Sequence, residues 1–407
     1  MKELYEKYAR LAIQIGGNIQ KDQFVVINGD VRDAWFIKMM VKEAYKAGAR
    51  EVYVNYQDED VEKMHYEYQT VENLSHIPEW RIAQRKYFID SKMATLSVRS
   101  PRPGSMKDVD RTKMMAQMKA SREAFAFAAD YTRTSQGQWL GFCLPSYEWA
   151  EMVYPDLDRE EAFKRLEADL FEFVLVDQDS DPVENWRKLV DEILRHRQVL
   201  TDYAFDRLVF KNNKGTDIEV GLIDQHAWAG GAEFTPEGVA FTPNLPTLEI
   251  FCCPDKNRVN GKVYATKPLF MQNTLVKDFY FEFKDGRVVD YGASEGLEAL
   301  ESLINTDEGA KHLGEVALVA HSSPISKKNV LFYNGLIDEN ASCHLALGNC
   351  YASNFKEKLS KEEMSERGGN FSNVHCDFMF GSEDMKVVGY TKDNQEVLIM
   401  DKGEFVI

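Results

Sequence analysis

The sequence has little that would take it out of the ordinary globular class. No apolar run approaches the ~18 residues that a membrane span needs. The N-terminal stretch MKELYEKYARLAIQIGG interleaves charges with apolar side chains where a signal peptide would carry an unbroken apolar core. Neither membrane insertion nor export is therefore expected. Positive charge is scarce: 49 Lys and Arg stand against 66 Asp and Glu, a formal net charge of -17. Such a chain has no basic footprint for nucleic acid or an anionic membrane. Cysteine is sparse as well. Cys143, Cys252, Cys253, Cys343, Cys350 and Cys376 form no CxxC pair and no dense framework, which points to reduced thiols and a cytoplasmic location. The P-loop, a GxGxxG after a strand, HExxH and GxSxG are all missing.

What is present is a chain of 407 residues, 44% hydrophobic, long enough for two or three domains that each bury a core. The first half alternates helical and strand patterns. Leu4, Tyr8, Leu11 and Ile15 share a helical face. Phe24 to Ile27 is a short buried-strand run. Phe36, Met40, Ala44 and Ala47 recur at helical spacing before Gly48, and Glu51 to Asn55 reads as a strand again. Strand, helix, strand is a βαβ unit, so the spacing predicts an α/β domain with a parallel sheet over 1–199, closed by a helix from about Val183 to Val199. The second half changes character. Asn212 to Gly215, Asp285-Gly286 and Asp393-Asn394 each separate two strand-like runs. One helix interrupts, with Leu297, Leu300 and Ile304 on a face. Residues 200–407 are therefore expected to form an α+β, mostly antiparallel-sheet domain.

This second half embeds acids and histidines in apolar strands. In SNVHCDFMFG, period-two alternation puts Asn373, His375 and Asp377 on one face and Val374, Cys376, Phe378 and Phe380 on the other. Glu315 stands alone in LGEVALVA. Glu249 is the only charge in NLPTLEIFCC and shares a face with Thr247 and Phe251. His344 falls on the opposite face from Cys343 and Leu345. A buried acid is costly unless paired, and no Lys or Arg is interleaved in these strands to build a buried ion network. Three carboxylates and two imidazoles are what a pair of divalent cations bridged by a carboxylate and a water requires, with Zn, Co, Mn or Mg all suited. Glu315, the acid deepest in apolar sequence, is the expected bridge. Cys343 and Cys376 lie on the wrong face to join the histidines and read as core fillers.

The segments NLPTLEIFCCPDKNRVNG, GEVALVAHSSPIS, FYNGLIDENASCHLALGNCY and SNVHCDFMFGSEDM, with YARLAIQIGGNIQKDQFVVI and EAYKAGAREVYV nearer the N-terminus, together resemble the M29 family of metallo-aminopeptidases over nearly the whole chain. Carried over residue by residue, the family's metal ligands fall on Glu249, Glu315, His344, His375 and Asp377, and its active-site tyrosine on Tyr351. The family often carries two successive acids after Pro-Thr; here the first is Leu248. The resemblance implies two divalent ions per chain, a homodimer with sites facing an enclosed cavity, and release of N-terminal residues from peptides with a free N-terminus. Glu315 and Tyr351 are then the expected catalytic residues, Tyr351 as a donor to the developing oxyanion. Two other functions compete. One is a different dinuclear hydrolase, an amidase or phosphoesterase, for which Lys256, Arg258 and Arg367 are the nearest cations in sequence. The other is an inactive oligomer that binds peptides.

Overall fold

A computed structural model describes residues 1–271 and 274–407. The chain divides into two compact units, Met1–Lys188 with Ala232–Pro246, and Leu189–Gly231 with Thr247–Ile407. The sequence pattern placed a single boundary at 199/200. In the structure the division falls inside one continuous helix, Pro182–Tyr203, whose unbroken periodicity carries no mark of it. The Ala232–Pro246 segment returns to the first unit because Asn244–Leu245 adds a strand beside Trp139–Cys143.

The first unit is built on a parallel sheet. Its strands run in the order Glu51–Gln57, Phe24–Asp30, Ala94–Arg99, Trp139–Cys143 and Asn244–Leu245. Phe24 to Ile27 are all buried, as a strand covered on both faces demands. The helix Ala34–Lys46 buries Phe36, Ile37, Met40 and Ala44 and connects the first two strands in the βαβ manner. The expected parallel α/β half is thus present.

The second unit is antiparallel, as its hairpin signals predicted. An eight-stranded sheet contains the pairs Arg207–Lys211 with Asp217–Leu222, Tyr280–Lys284 with Arg287–Gly292, and Lys386–Tyr390 with Glu396–Asp401. Asp285 and Gly286 both have positive φ, +49° and +80°, the mirror-image turn that matches strand twist. A second, four-stranded sheet runs Ile250–Cys252, Leu313–Leu318, His344–Gly348, His375–Met379. One apolar core takes side chains from both sheets, among them Phe210, Ile218 and Val259 from the larger and Val316, Leu345, Leu347 and Phe378 from the smaller. Leu347 is fully buried there. Leu347→Ala is expected to lower stability by about 2–5 kcal/mol through lost burial and a residual cavity, read as a shift in the denaturant midpoint. Among the described residues, no helix is long and apolar enough to cross a membrane.

Candidate metal centre

The small sheet has two faces with opposite chemistry, and its register shows how. Residues directly opposite each other on neighbouring strands point to the same side. Glu315 pairs with Ala346 and Ala346 with Asp377, which makes one row across three strands. Phe251 pairs with Ala317 and Ala317 with His344, a second row. Gly348 pairs with His375, a third. The rows are two residues apart along each strand, so Glu315, His344, His375 and Asp377 all share one face, and Glu249, two residues before Phe251, joins them. Small residues, Ala317, Ala346 and Gly348, occupy the positions between them. Gly348 also lets the backbone close up: a Cβ there would stand 2.1 Å from Val374 O. The other face carries Cys252, Val316, Leu345, Leu347 and Phe378 into the core, with Cys376 packed beside them. Cys343 is likewise a core residue, and all six cysteines are free thiols.

The five side chains converge as two triads that share one member. Glu249, Glu315 and His344 offer ligand atoms within 4.8 Å of one another, and so do Glu315, His375 and Asp377. The first triad is the deeper: Glu249, Glu315 and His344 are 8%, 4% and 1% exposed. His344 Nε2 lies 3.0 Å from Glu249 Oε2 and 3.6 Å from Glu315 Oε1. His375 Nε2 lies 3.3 Å from Glu315 Oε2 and 3.3 Å from Asp377 Oδ1. Each imidazole is held from behind by a backbone carbonyl, Nδ1 of His344 by Ser342 O at 3.1 Å and Nδ1 of His375 by Asn349 O at 2.8 Å. A carbonyl only accepts, so Nδ1 carries a proton in both rings and Nε2 is the atom presented to the carboxylates. This is the support that fixes the tautomer and ring plane of a metal-binding histidine.

The donor set fits a divalent cation on two further grounds. Glu249 Oε2 is buried and lies 3.0 Å from His344 Nε2 without a well-formed hydrogen bond; a buried anion oxygen costs on the order of several kcal/mol unless it is fully met by cation or donor. Among the described residues, the ion pairs made by Glu249, Glu315 and Asp377 are with histidine alone. The buried Lys/Arg network that could have replaced a metal is therefore not built here. Burial by itself would discharge both imidazoles, but the facing carboxylates outweigh it. Asp377 and Glu315 raise His375 to about 11, and Glu249 and Glu315 hold His344 well above its usual range. Burial pushes the Glu249 carboxyl up, against the pull of His344. Burial opposes ionisation of Asp377 too, yet the hydrogen bond and charge of His375 leave it below the usual carboxylate range.

Tyr351 is 41% exposed, but its hydroxyl reaches to 3.2 Å from His375 Nε2. Its ring packs edge-on against Phe251 and tilts over His375 at 4.9 Å. Burial of the hydroxyl, and then the charges of Glu315, Asp377, Glu339 and Glu249, raise its pKa far above the usual value. The phenol keeps its proton and is a hydrogen-bond donor.

A family model described as thermophilic metalloprotease (M29) matches residues 1–405. The chain belongs to this family. Aminopeptidase 2 of Geobacillus stearothermophilus is 39% identical, covering 99% of this chain and 98% of its own length. Aminopeptidase AmpS of Bacillus subtilis is 38% identical over 98% of this chain and 97% of its own. The solved structure of wild-type AmpT from Thermus thermophilus superposes with a TM-score of 0.91 at 34% identity, over the whole of both chains. The α/β and antiparallel-sheet fold of this chain is thus shared with that structure.

Two features of this M29 centre were not legible beforehand. Glu339 is a fourth carboxyl in the cluster: burial, and then the charges of Glu249 and Asp377, raise it well above its usual range. It sits on the short 3-10 turn Glu339–Ala341, where strand alternation says nothing; its place five residues before His344 is the one signal available. Leu248 is the other. Its backbone N–H donates to Asn340 Oδ1 at 2.6 Å, while its neighbour Glu249 enters the triad. The cations weighed for a phosphoester substrate are engaged elsewhere. Lys256 Nζ bonds Ser365 Oγ at 2.8 Å, Arg258 bonds Asp206 at 2.6 Å and Arg367 bonds Glu357 at 2.8 Å.

Proposed function

We propose that the chain is a metal-dependent aminopeptidase whose centre holds two divalent cations, one on Glu249, Glu315 and His344 and one on Glu315, His375 and Asp377. The observation that carries this is the pair of donor triads sharing Glu315 on one sheet face. When bound, such ions lower the pKa of water and polarise a peptide carbonyl. Glu315 fixes the spacing of the two sites. Ser342 O and Asn349 O fix the histidine planes, and the core beneath Leu345 and Leu347 keeps the face rigid. Tyr351, protonated and beside His375, donates to the oxygen on which charge develops. Removing one such donor costs about 10²–10³ in kcat elsewhere. Tyr351→Phe is accordingly expected to lower kcat by about that factor with little change in KM; an equal change in both would remove Tyr351 from this role. The oxygen-rich set admits Zn, Co, Mn or Mg. A homodimer and a cytoplasmic location belong to the same reading, the first from the family resemblance and the second from the reduced cysteines.

The test is a mass-spectrometric time course on one peptide and its N-acetylated twin, after chelation and after return of each metal. Stepwise loss of N-terminal residues from the free peptide alone, restored by metal, is the expected result. No cleavage of either peptide under any metal would reject the aminopeptidase reading.

A further inference from the structure

Glu249 is the one member of the two donor triads that no strand carries. Residues 246–249 belong to no helix or strand, and the pairing with Leu313–Leu318 begins at Ile250. The ladder therefore fixes the directions of Phe251 and Cys252 but stops one residue short of the ligand. The Glu249 carboxylate also stands among like charges, those of Glu315, Asp377 and Glu339. An acid so placed, on backbone that no ladder holds, relaxes away from the other carboxylates unless something restrains it.

Two contacts supply the restraint. On one side Gly230 lies so close that a Cβ there would overlap Glu249 O. On the other, Asn340 Oδ1 accepts from Leu248 N–H at 2.6 Å. The same amide donates through Nδ2 to Leu336 O at 2.9 Å, and Asn340 O accepts from Ser323 Oγ at 2.9 Å. A backbone N–H only donates and a carbonyl only accepts, so Leu248 and Leu336 together set the orientation of the amide and leave no flipped alternative.

Asn340 is 1% exposed and follows Glu339 on the turn that leads into the strand beginning at His344. One buried side chain thus links the backbone that carries Glu249 to the backbone that carries Glu339 and His344. The distance between Glu249 and its triad partner His344 is set through this link rather than by strand pairing. Because the link is made to a main-chain N–H, it is indifferent to the side chain at 248. That is how a leucine there is compatible with the triad beside it.

We propose that Asn340 is a positioning residue for the first cation: its hydrogen bond to Leu248 N–H holds the Glu249 carboxylate against Glu315 and His344, and without it that cation alone is bound weakly. The proposal rests on the two-cation reading above. The experiment titrates Zn2+ into metal-free protein in competition with a chromophoric chelator, and reads the ions per chain and both dissociation constants. Asn340→Leu fills the same space without an acceptor. Asn340→Asp keeps the acceptor oxygen and gives up the donor to Leu336 O, and Ser323→Ala removes the bond to Asn340 O while leaving the Leu248 link in place. Asn340→Asp and Ser323→Ala are expected to bind two ions no more than threefold more weakly than wild type. Asn340→Leu should weaken one constant at least tenfold and leave the other within threefold, with histidine ring NMR assigning the weakened ion to His344. A merely structural role would move both constants together, and would move them in Asn340→Asp as well. Melting curves of the metal-free proteins check the fold, and Asn340→Ala replaces Asn340→Leu should the latter not fold. Unchanged constants in that variant, equal weakening of both, weakening at His375 instead, or a tenfold loss in Asn340→Asp would overturn the proposal. The two readings fail apart. A wild-type chain that binds fewer than two ions removes the two-cation reading and this proposal with it; two ions in wild type and the same constants in Asn340→Leu remove this proposal alone.

Discussion

Glu315→Gln is expected to reduce peptide turnover by about 10³-fold or more, beyond the about 10²–10³ that follows loss of a single oxyanion donor, with the fold intact. The reasoning is geometric. Glu315 is the one side chain common to both donor triads, one carboxylate oxygen facing His344 Nε2 and the other facing His375 Nε2. Glutamine keeps its volume, so the 4%-exposed position stays filled and the row Glu315–Ala346–Asp377 stays paired. What it loses is the second anionic oxygen and the charge. An amide nitrogen repels a cation where the carboxylate attracted it, and the spacing of the two cation sites is lost together with their affinity. Circular dichroism and the denaturant midpoint should stay close to wild type, whereas metal per chain should fall from two toward one or none. Turnover retained within tenfold would show that Glu315 does not bridge, and the two-cation reading would have to be rebuilt on Glu249 and Asp377.

The cluster was largely legible because its candidate ligands sit on or beside strands, and a strand announces its faces every second residue. His375 and Asp377 share a side while Val374, Cys376 and Phe378 share the other, and Glu249 sides with Phe251; the observed register places all of these as the alternation requires. Glu339 escaped because it lies on a helical turn, and Tyr351 because it follows its strand, so that only the family resemblance pointed to it. Asn244–Cys253 looked like a single strand segment. In the structure Asn244–Leu245 pairs in the parallel sheet and Ile250–Cys252 in the small four-stranded one, a division that no local pattern records. The helices between Glu59 and Arg133 were equally silent. The longest of them, Arg111–Ala124, buries no residue, so there is no apolar stripe for a periodicity to show. What the sequence hides is thus what is settled by long-range pairing or by surface helices, and what it shows is burial repeated at a fixed period.

Metal removal should make stability fall with rising pH where the loaded protein is nearly flat. In the metal-free chain His375 is raised from 6.5 to about 11, and His344 is raised well above 6.5. A group whose folded pKa exceeds its unfolded one stabilises the fold fully below the unfolded value and loses that contribution as pH climbs toward the folded value. The raised carboxyls Glu249 and Glu339 slope the same way. Asp377 slopes oppositely, but its lowered pKa acts only below its unfolded value of 3.8. Between 6.5 and about 11, then, the metal-free protein should lose stability as pH rises. The loaded protein should be nearly flat over the same range, because a metal-bound Nε2 carries no proton and neither does an unfolded histidine above 6.5. Cation binding tightens as protons become scarce and offsets the loss seen without metal. Each displaced proton makes the apparent metal affinity rise about tenfold per pH unit, about 1.4 kcal/mol. Since a bound ligand stabilises in proportion to the logarithm of its saturation, the gap in melting temperature between loaded and chelated protein should widen steadily from about pH 6.5 to pH 9. Calorimetry in two buffers of different ionisation enthalpy should register proton release on metal binding. A gap that stays constant or narrows with pH, or binding heats that do not depend on the buffer, would mean that the imidazoles do not ligate through Nε2.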